Sequence, residues 1–407
     1  MGRHRTAHLL AALVAVTALA GCSGDEPGAR PTPSASPSAA PFEAKWEAVD
    51  LPAPPGPSGR IALRDATRCG DTWYVVGGVF TSATQSQPAW WSSPDGRTWT
   101  SRDLAPRDFF ARGSVLSSVA CHGADVVALG GRPGGAHGNL RTSSWYLRPD
   151  GVLADVPALF TQYGGVEAVN VAHVAGGPAG WTISGNRVSG AAVWSSPDAR
   201  DFVRNDTDPA LRHDPDHRFL ATDQVADGRG WVLVGSAGLA GRGGALAPWA
   251  WSSADGRSWT REEVPTTDEF SDLERVAADG GGDGLLALGL RGQRFGAWHR
   301  DAAGTWRAGV TFGGLDPGRT SAPAVAGLAT ADGLVVTTVS DGTDYQLWTS
   351  TDGAGWHQVA TPTTPPAGSG RVMTAATDGR SVLLVADDER AGRLWLSPDA
   401  GRPARPR

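Results

Sequence analysis

The sequence predicts an all-β protein, a seven-bladed β-propeller of four-stranded antiparallel blades. Three observations predict this fold: a Trp-bearing turn motif that occurs seven times, a short apolar strand before each copy, and complementary parts of one blade at the two ends of the chain. The 407 residues include 55 Gly and 17 Trp, and 40% of them are hydrophobic, so the chain can bury a core. The formal net charge of −6 offers no basic surface, and we expect no nucleic-acid partner.

The turn motif is clearest at residues 91–99, which read WSSPDGRTW, and it returns nearly unchanged at 251–259 and 348–356. The first Trp of each copy is found at Trp91, Trp145, Trp194, Trp251, Trp298, Trp348 and Trp395. The mean spacing is about 51 residues, close to that of the longer four-stranded blade repeats. We expect each of these Trp residues to be buried in its blade.

A second series of short apolar segments precedes the motifs. These segments are residues 73–77, 126–130, 181–185, 231–235, 285–289, 334–337 and 382–385. Most follow a tight Gly-bearing turn, and a longer connection separates each segment from its Trp motif. The resulting order of strand, turn, strand, loop, strand, turn and strand is that of one propeller blade.

The two ends of the chain supply the closing blade. The last motif, at 395–401, has no fourth strand after it, whereas residues 45–52 (KWEAVDLP) match the fourth strand at 99–106. We therefore expect the N-terminal strand to complete the C-terminal blade, which would leave no open edge. On this interpretation residues 43–402 form the propeller and 403–407 a short tail.

The first 42 residues are typical of an export signal and a tether. A charged start at 3–5 precedes twelve mostly apolar residues at 9–20, enough for a signal h-region but short of the ~20 that span a bilayer. The segment ends in LAGC at 19–22, which resembles the lipobox of bacterial lipoproteins. The resemblance implies a signal peptide over 1–21 and a lipid-modified Cys22; the alternative is an ordinary secretory signal with a chance Cys. Residues 22–42 are rich in Pro, Ser and Ala and would act as an extended tether.

The recurring Ser-x-Asp-Gly-x-x-Trp of the turns resembles the Asp-box, or BNR repeat, of sialidase-like propellers. Most copies are one residue shorter than the family pattern, although residues 397–401 keep the longer spacing. The resemblance implies structural aspartates on the blade periphery, namely Asp95, Asp198, Asp255, Asp352 and Asp399. It specifies little chemistry, because propellers of this kind serve sialidases, other glycoside hydrolases, sorting receptors and assembly factors.

A sialidase would need an arginine cluster, a Tyr nucleophile with a Glu partner, and an acid/base Asp. Arg60, in the segment GRIA, imperfectly matches an early motif of the family, and Tyr163 with Glu167 is the one Tyr–Glu pairing on a predicted connecting loop. Further arginines near the starts of the inner strands would line a ligand-binding mouth: Arg112, Arg218, Arg275, Arg319 and Arg371. Arginine is abundant enough in this chain that chance also explains these positions.

Two further groups of residues have alternative interpretations. Cys69 and Cys121 occupy equivalent turns of adjacent blades, which favours a disulfide in an exported protein over two separate buried thiols. The predicted loop at 201–223 contains Asp206, Asp208, His213 and His217, which suit a divalent cation or belong to a solvated polar loop. We expect no other cofactor.

The leading hypothesis is a monomeric lipoprotein on the outer face of the cytoplasmic membrane, whose propeller binds a glycan or a protein without catalysis. The alternatives are a sialidase-like exo-glycoside hydrolase and a scaffold for cell-envelope assembly. Two long Gly-rich connections, at 130–144 and 235–248, would be binding loops or mere linkers.

Overall fold

The structure is a computed structural model, and it describes residues 40–135, 138–239, 245–266, 270–279 and 284–401. Residues 40–407 form one compact unit. The predicted signal peptide and most of the predicted tether, with Cys22, lie outside the described residues. The predicted tail at 403–407 does so as well.

The described residues form 29 strands and two four-residue helices. In chain order the first fourteen strands and both helices are β1 (Glu47–Val49), β2 (Arg60–Cys69), β3 (Thr72–Phe80), β4 (Ser86–Ser93), β5 (Thr100–Ser101), β6 (Leu104–Ala105), α1 (Phe109–Arg112), β7 (Val115–His122), β8 (Asp125–Arg132), β9 (Arg141–Leu147), β10 (Leu153–Val156), α2 (Phe160–Tyr163), β11 (Ala168–Gly177), β12 (Gly180–Arg187), β13 (Gly190–Ser196) and β14 (Val203–Asn205).

The remaining strands are β15 (His217–Asp227), β16 (Gly230–Leu239), β17 (Leu246–Ser253), β18 (Thr260–Glu263), β19 (Arg275–Ala278), β20 (Leu285–Arg291), β21 (Arg294–Arg300), β22 (Trp306–Phe312), β23 (Ala324–Ala331), β24 (Leu334–Ser340), β25 (Tyr345–Ser350), β26 (His357–Val359), β27 (Val372–Thr377), β28 (Val382–Asp387) and β29 (Gly392–Ser397). No helix within the described ranges has the length and hydropathy needed to cross a bilayer.

These strands form seven antiparallel sheets, which confirms the predicted seven-bladed propeller. Blades 1 to 6 begin with the inner strands β2, β7, β11, β15, β19 and β23, and blade 7 contains β27, β28, β29 and β1. Blade 2 has a fifth strand, because β6 adds to the outer strand β10 in parallel. The sequence did not predict this addition.

The ends of the chain close the ring as predicted. Strand β1 pairs with β29 in antiparallel register, with Glu47 opposite Leu396 and Val49 opposite Leu394. The Trp46 indole donates to the carbonyl oxygen of Ala360 at 2.8 Å. Phe42 forms a bridge to blade 6 through Val359, so the chain joins the body one residue earlier than predicted. Blade 7 therefore has the full set of four strands.

The hydrophobic core lies between neighbouring blades. The first Trp of every turn motif is buried, with exposures between 0% for Trp91 and 9% for Trp395. Each Trp of this size removes ~150–250 Å² from water, so the repeated aromatic residue is the main packing element. The prediction that these Trp residues are buried in the core is therefore confirmed.

Two faces of the propeller differ in their connections. We call the end at which the inner strands begin the loop face; it carries the links between blades and the loops between second and third strands. The opposite end, the turn face, carries the short turns, including every Trp motif turn. Both four-residue helices lie in blade-to-blade links of the loop face, α1 before β7 and α2 before β11. Asp108 caps α1 by accepting a hydrogen bond from the Ala111 N–H at 2.7 Å.

Candidate functional site

A cavity of about 260 Å³ lies on the propeller axis and is lined by residues of all seven inner strands. Each blade contributes one residue at the same register, namely Asp65, Ser118, His173, Asp223, Arg275, Gly327 and Thr374. We call these seven residues the axial ring. Most of its members are polar, and several are titratable.

The polar members of the axial ring bind the next blade. Asp65 accepts a hydrogen bond from the Val119 N–H at 2.9 Å, and Asp223 accepts one from the Val276 N–H at 3.1 Å. Arg275 donates in the same direction, to the carbonyl oxygen of Ala326 at 2.9 Å. These contacts join neighbouring inner strands where the blades converge, so the ring holds the propeller together and its oxygens are already occupied.

Burial raises the pKa of both axial carboxyl groups. Desolvation raises the pKa of Asp65 to about 7, against the opposing effect of the backbone hydrogen bonds from Val119 and Ala66. Desolvation likewise raises the pKa of Asp223 to about 6, against the charge of Arg275. The pKa of His173 is lowered well below its usual value, chiefly by burial. We therefore expect the carboxyl groups of Asp65 and Asp223 to change protonation near neutral pH.

A second cavity of about 260 Å³ opens on the loop face between blades 2 and 3. We call it the blade 2–3 cleft. It is lined by β7, β8 and β11, by the connection between β8 and β9, and by α2. Gly131 permits this connection to approach, because a Cβ there would lie 3.0 Å from the Cβ of Leu140. The Gly-rich segment that the sequence singled out thus borders a cavity.

The cleft presents neutral hydrogen-bonding groups. Asn139 donates to the Ala168 carbonyl oxygen at 3.0 Å, and the amide oxygen of Asn170 accepts from the Asn186 side chain at 2.8 Å. The amide oxygen of Asn139, the amide nitrogen of Asn170 and the hydroxyls of Ser117 and Thr142 have no hydrogen-bond partner among the described residues. No carboxylate occurs among the described residues that line the cleft. The cleft can therefore donate to and accept from an uncharged polar ligand.

Beside the cleft, large apolar side chains are exposed on the same loops. We call this set the apolar rim; it consists of Phe109, Leu140, Leu159, Phe160, Val166, Val169 and Val188. Leu159 is 82% exposed, Val166 76% and Phe109 64%. Only three other large hydrophobic residues of the described chain are exposed to this degree, and they lie in blades 3, 4 and 5. The rim is therefore local to blades 2 and 3.

The arginines predicted near blade 7 are bound by carboxylates. Arg60 and Arg64 both contact the buried carboxylate of Asp387, at 2.9 Å and 2.5 Å. Arg371 lies 3.3 Å from Glu389. The sequence missed Arg64, which occupies the irregularity in β2 between Leu63 and Asp65. An extra residue at that point changes the direction of a side chain, and no periodic pattern shows where it occurs.

The side chains of three other predicted arginines donate hydrogen bonds to backbone carbonyl oxygens close to them in the sequence. Arg112 donates to the Arg107 carbonyl oxygen at 2.9 Å, Arg218 to that of Asp214 at 2.6 Å, and Arg319 to that of Asp316 at 3.3 Å. Arg275 lies in the axial ring, as described above. All these arginines donate to nearby acceptors, and their role in a ligand-binding mouth stays a prediction.

The structure does not bring the predicted catalytic pair together. Tyr163 ends α2 and is buried, and its hydroxyl lies 3.1 Å from the Ser144 hydroxyl. Burial raises the pKa of Tyr163 well above its usual value. A nucleophilic tyrosine needs the opposite shift and a neighbouring base, whereas Glu167 is exposed and forms no hydrogen bond to it among the described residues. Tyr163 instead forms one wall of the cleft.

The predicted metal-binding carboxylates are engaged elsewhere. Asp206 forms an ion pair with Arg204 at 3.0 Å, and Asp208 accepts a hydrogen bond from the Trp259 N–H at 3.0 Å. Both contacts satisfy the oxygens that a cation would need. In the part of the chain that the structure describes, no three His, Cys, Asp or Glu side chains are grouped as a metal site would require.

The two histidines of that set are engaged as well. His213 accepts a hydrogen bond from the Phe219 N–H at 3.1 Å, and the ring of His217 lies 3.1 Å from Asp214. His217 belongs to β15 and not to a loop, since this strand begins six residues earlier than the predicted loop ended.

The turn aspartates have the structural role that the resemblance implied. Asp95 accepts from the backbone N–H groups of Arg97 at 2.8 Å and Thr98 at 2.7 Å, and Gly96 adopts a positive φ of 71°. These bonds lower the pKa of Asp95 to about 2. The same backbone pattern recurs at Asp255 and Asp352.

Two copies depart from this pattern. Asp198 accepts from one backbone N–H, that of Arg200, while Asp399 accepts from the N–H of Lys45 and thereby joins the closing strand to the last turn. The turn face also carries the pair Cys69 and Cys121, which the structure joins as a disulfide with a Cα–Cα separation of 5.9 Å. That bond links blades 1 and 2.

Sequence reasoning missed the residues that define the cleft and the rim. Phe109 and Phe110 were the available signal, because they lie outside the repeated strand pattern, where an aromatic side chain has no blade core to fill. Asn139 and Asn170 gave no signal, since single Asn residues are common in loops. The axial carboxylates gave little signal, because Asp65 in RIALRDATRC and Asp223 in HRFLATDQVAD stand among other polar residues.

Comparison with known proteins identifies the fold but no family. No protein-family profile matches the chain, and the curated proteins contain no significant relative. A protein from Lactobacillus plantarum of known structure is 11% identical over 80% of this chain and 96% of its own, with a TM-score of 0.50. At such identity the likeness shows the β-propeller fold alone.

Two named enzymes are among the other structures found. The periplasmic gluconolactonase of Pseudomonas aeruginosa is 12% identical over 81% of this chain and 97% of its own, with a TM-score of 0.46. The Trypanosoma rangeli sialidase is 12% identical over 88% of this chain, with a TM-score of 0.43. The match spans about 60% of the sialidase. Neither likeness assigns an activity to this chain.

Proposed function

We propose that the protein is an exported lipoprotein, anchored through Cys22 to the outer face of the cytoplasmic membrane, whose blade 2–3 cleft binds a neutral glycan without catalysis. The observation that carries the binding role is the set of unpaired neutral groups in the cleft, on Ser117, Asn139, Thr142 and Asn170. Sugar hydroxyls both donate and accept hydrogen bonds, so amides and hydroxyls beside an apolar wall suit them.

The cleft is suited to binding and not to hydrolysis. Glycoside hydrolases of the common kinds place two carboxyl groups on either side of the scissile bond. The described lining of the cleft has none, and Tyr163 is a buried phenol with a raised pKa. A sialidase activity would therefore need a site that these residues do not form.

Binding is tested by titration calorimetry with a panel of neutral oligosaccharides. We expect one or more to bind, and Asn170→Ala with Thr142→Val to weaken that binding about tenfold or more, since each lost hydrogen bond costs ~0.5–1.5 kcal/mol. Gln293→Ala is the matched control, because Gln293 is exposed on a loop of blade 5 between second and third strands. Equal losses in the control, or no binding across the panel, would overturn the proposal.

Catalysis is tested with fluorogenic sialosides and other glycosides. We expect no turnover above the rate in buffer. Turnover that disappears in Arg60→Ala or Tyr163→Phe would replace the binding role by hydrolysis. A stoichiometric envelope protein that co-purifies with a chain lacking glycan affinity would favour the scaffold role instead.

Anchoring is tested by metabolic labelling with a palmitate analogue in cells. We expect the wild-type chain to incorporate the label and Cys22→Ser to lose it. Label retained in Cys22→Ser would refute the anchor, whatever the distribution of the protein between membrane and medium.

A further inference from the structure

The apolar rim has no partner in the described structure. Its side chains project from neighbouring segments of the loop face: the link containing α1, the link containing α2 with the start of β11, and the loops after β8 and β12. Phe109 of the rim is in edge contact with the half-buried Phe110, at 5.5 Å between ring centroids. A surface of this composition on a soluble body marks an interaction site.

Arginines lie between the aromatic rings of the rim. The Arg132 guanidinium lies 4.6 Å from the ring centre of Phe109, and Arg141 lies 4.5 Å from that of Phe110 and 4.6 Å from that of Phe160. Neither arginine forms an ion pair with a described residue. Their positive charge is therefore not neutralised by a described carboxylate, and it lies beside the aromatic side chains.

Apolar side chains with interleaved arginines match the chemistry of an anionic membrane surface. Aromatic and aliphatic tips enter the boundary between headgroups and acyl chains, while guanidinium groups stay with the phosphates. The net charge of −6 does not prevent this, since charges more than ~8 Å away are screened at physiological ionic strength.

The proposed anchor would add to this docking by holding the body near a bilayer. Cys22 precedes the first described residue, Ala40, by 18 residues, a length that spans at most about 60–65 Å. A body tethered within that distance of a bilayer has a high effective concentration at its surface. We propose that the apolar rim of blades 2 and 3 docks on anionic phospholipid headgroups, turning the loop face of the propeller toward the membrane.

The test is co-sedimentation of residues 40–407 with vesicles, since this unit closes its own ring without the preceding residues. We expect binding to vesicles containing phosphatidylglycerol, weaker binding to pure phosphatidylcholine, and a decrease with added salt. The vesicles carry no glycan, so the result does not depend on the ligand of the cleft.

Two variants separate the apolar and the charged contributions. Phe109→Asp with Leu159→Asp should weaken binding to the anionic vesicles at least tenfold. Arg132→Gln with Arg141→Gln should weaken it about 25-fold, about fivefold for each arginine near the surface. Thermal melting of both variants should match the parent chain, because the substituted side chains lie outside the core.

Val203→Asp with Val310→Asp is the control, since both valines are exposed elsewhere on the propeller. The control should bind like the parent chain. Absence of binding to anionic vesicles, or an equal loss in the control, would overturn the proposal. So would self-association of the chain that the Phe109→Asp and Leu159→Asp variant abolishes while vesicles remain unbound, because the rim would then bind a second copy.

Discussion

Asp95 on the turn face and Asp65 on the axis show how differently one protein treats the same carboxyl group. Each accepts hydrogen bonds from two backbone N–H groups. Yet the pKa of Asp95 is lowered to about 2 and that of Asp65 is raised to about 7. The difference is solvation: the turn carboxylate is exposed to water, whereas the axial one is half-buried in the wall of the central cavity. For Asp65, desolvation raises the pKa by more than its two backbone hydrogen bonds lower it.

The comparison distinguishes two structural roles of an aspartate side chain. A turn aspartate is charged in the folded and unfolded chain at neutral pH and works as an acceptor that closes a local loop. An axial aspartate joins two blades that are more than fifty residues apart in the chain. The first role depends on neighbours in the sequence and the second on the closed ring.

The largest expected effect is that of Asp65→Ala. The substitution leaves the N–H groups of Val119 and Ala66 without an acceptor at the axis. Each unsatisfied buried group costs ~1–3 kcal/mol, so the free energy of unfolding at pH 5 should fall by about 2–4 kcal/mol. Urea denaturation measures it, with Ser117→Ala as a neutral control because that side chain is exposed. A fall below 0.5 kcal/mol would contradict the role of the axial ring.

Asp95→Ala should have a smaller effect. The turn loses two backbone acceptors at its surface, where water replaces part of the interaction. We expect the free energy of unfolding to fall by about 1–2 kcal/mol at pH 7. Asp71→Ala is the matched control, because Asp71 is fully exposed and its ion pair with Arg68 is 3.7 Å long. An equal fall in both variants would show that the turn bonds add nothing.

The pH dependence of stability should follow the axis and not the turns. Above pH 6.5 the lowered pKa of His173 leaves it neutral, so Asp65 is the main titrating group of the axial ring. Its folded pKa of about 7 exceeds the unfolded value of ~3.9, so the folded chain binds more protons, and stability falls as pH rises.

Between pH 6.5 and 8 we expect Asp65 to contribute a loss of about 1 kcal/mol. Chemical denaturation at several pH values measures it. Asp65→Ala should reduce the slope of the profile without abolishing it, because burial also raises the pKa of Glu274. The turn aspartates act with the opposite sign and only in acid: their stabilisation is present above pH ~3.9 and is lost as pH falls toward 2. A profile that rises from pH 6.5 to 8 would contradict the raised pKa of Asp65.

The smallest expected effect is that of Asp198→Ala. This turn has one backbone bond to its aspartate, from Arg200 at 3.0 Å. Ala199, with a φ of 62°, stands where the turns of Asp95, Asp255 and Asp352 have Gly. We expect about half the loss of Asp95→Ala, roughly 0.5–1 kcal/mol, by the same denaturation assay. Equal losses in the two variants would mean that the second backbone bond does not matter.

Much of the fold was predictable because its signals repeat. Trp91 and its six equivalents mark the third strand of each blade, and Trp46 marks the closing strand that the last blade lacks. The turn aspartates were predictable for the same reason, since their partners lie two and three residues further on. Such patterns can be detected in the sequence because the interacting residues lie close together in it.

The candidate site was predictable only in part. The Gly-rich connection at 130–144 indicated a loop beside a site, but Asn139 and Asn170 come from different blades and meet only in the folded ring. Arg60 was expected to face a ligand, and it contacts Asp387, more than three hundred residues away. A contact between residues so far apart in the chain produces no periodic pattern in the sequence.

The sequence by itself determined the number of blades, the closing strand and the buried Trp residues, because strand periodicity and turn chemistry are set within a few residues. The tertiary structure alone decided which loops form the cleft, which arginines are already bound, and whether a carboxyl group such as Asp65 gains or loses a proton. Those properties depend on burial and on contacts between distant segments, and both exist only once the blades have packed around the axis.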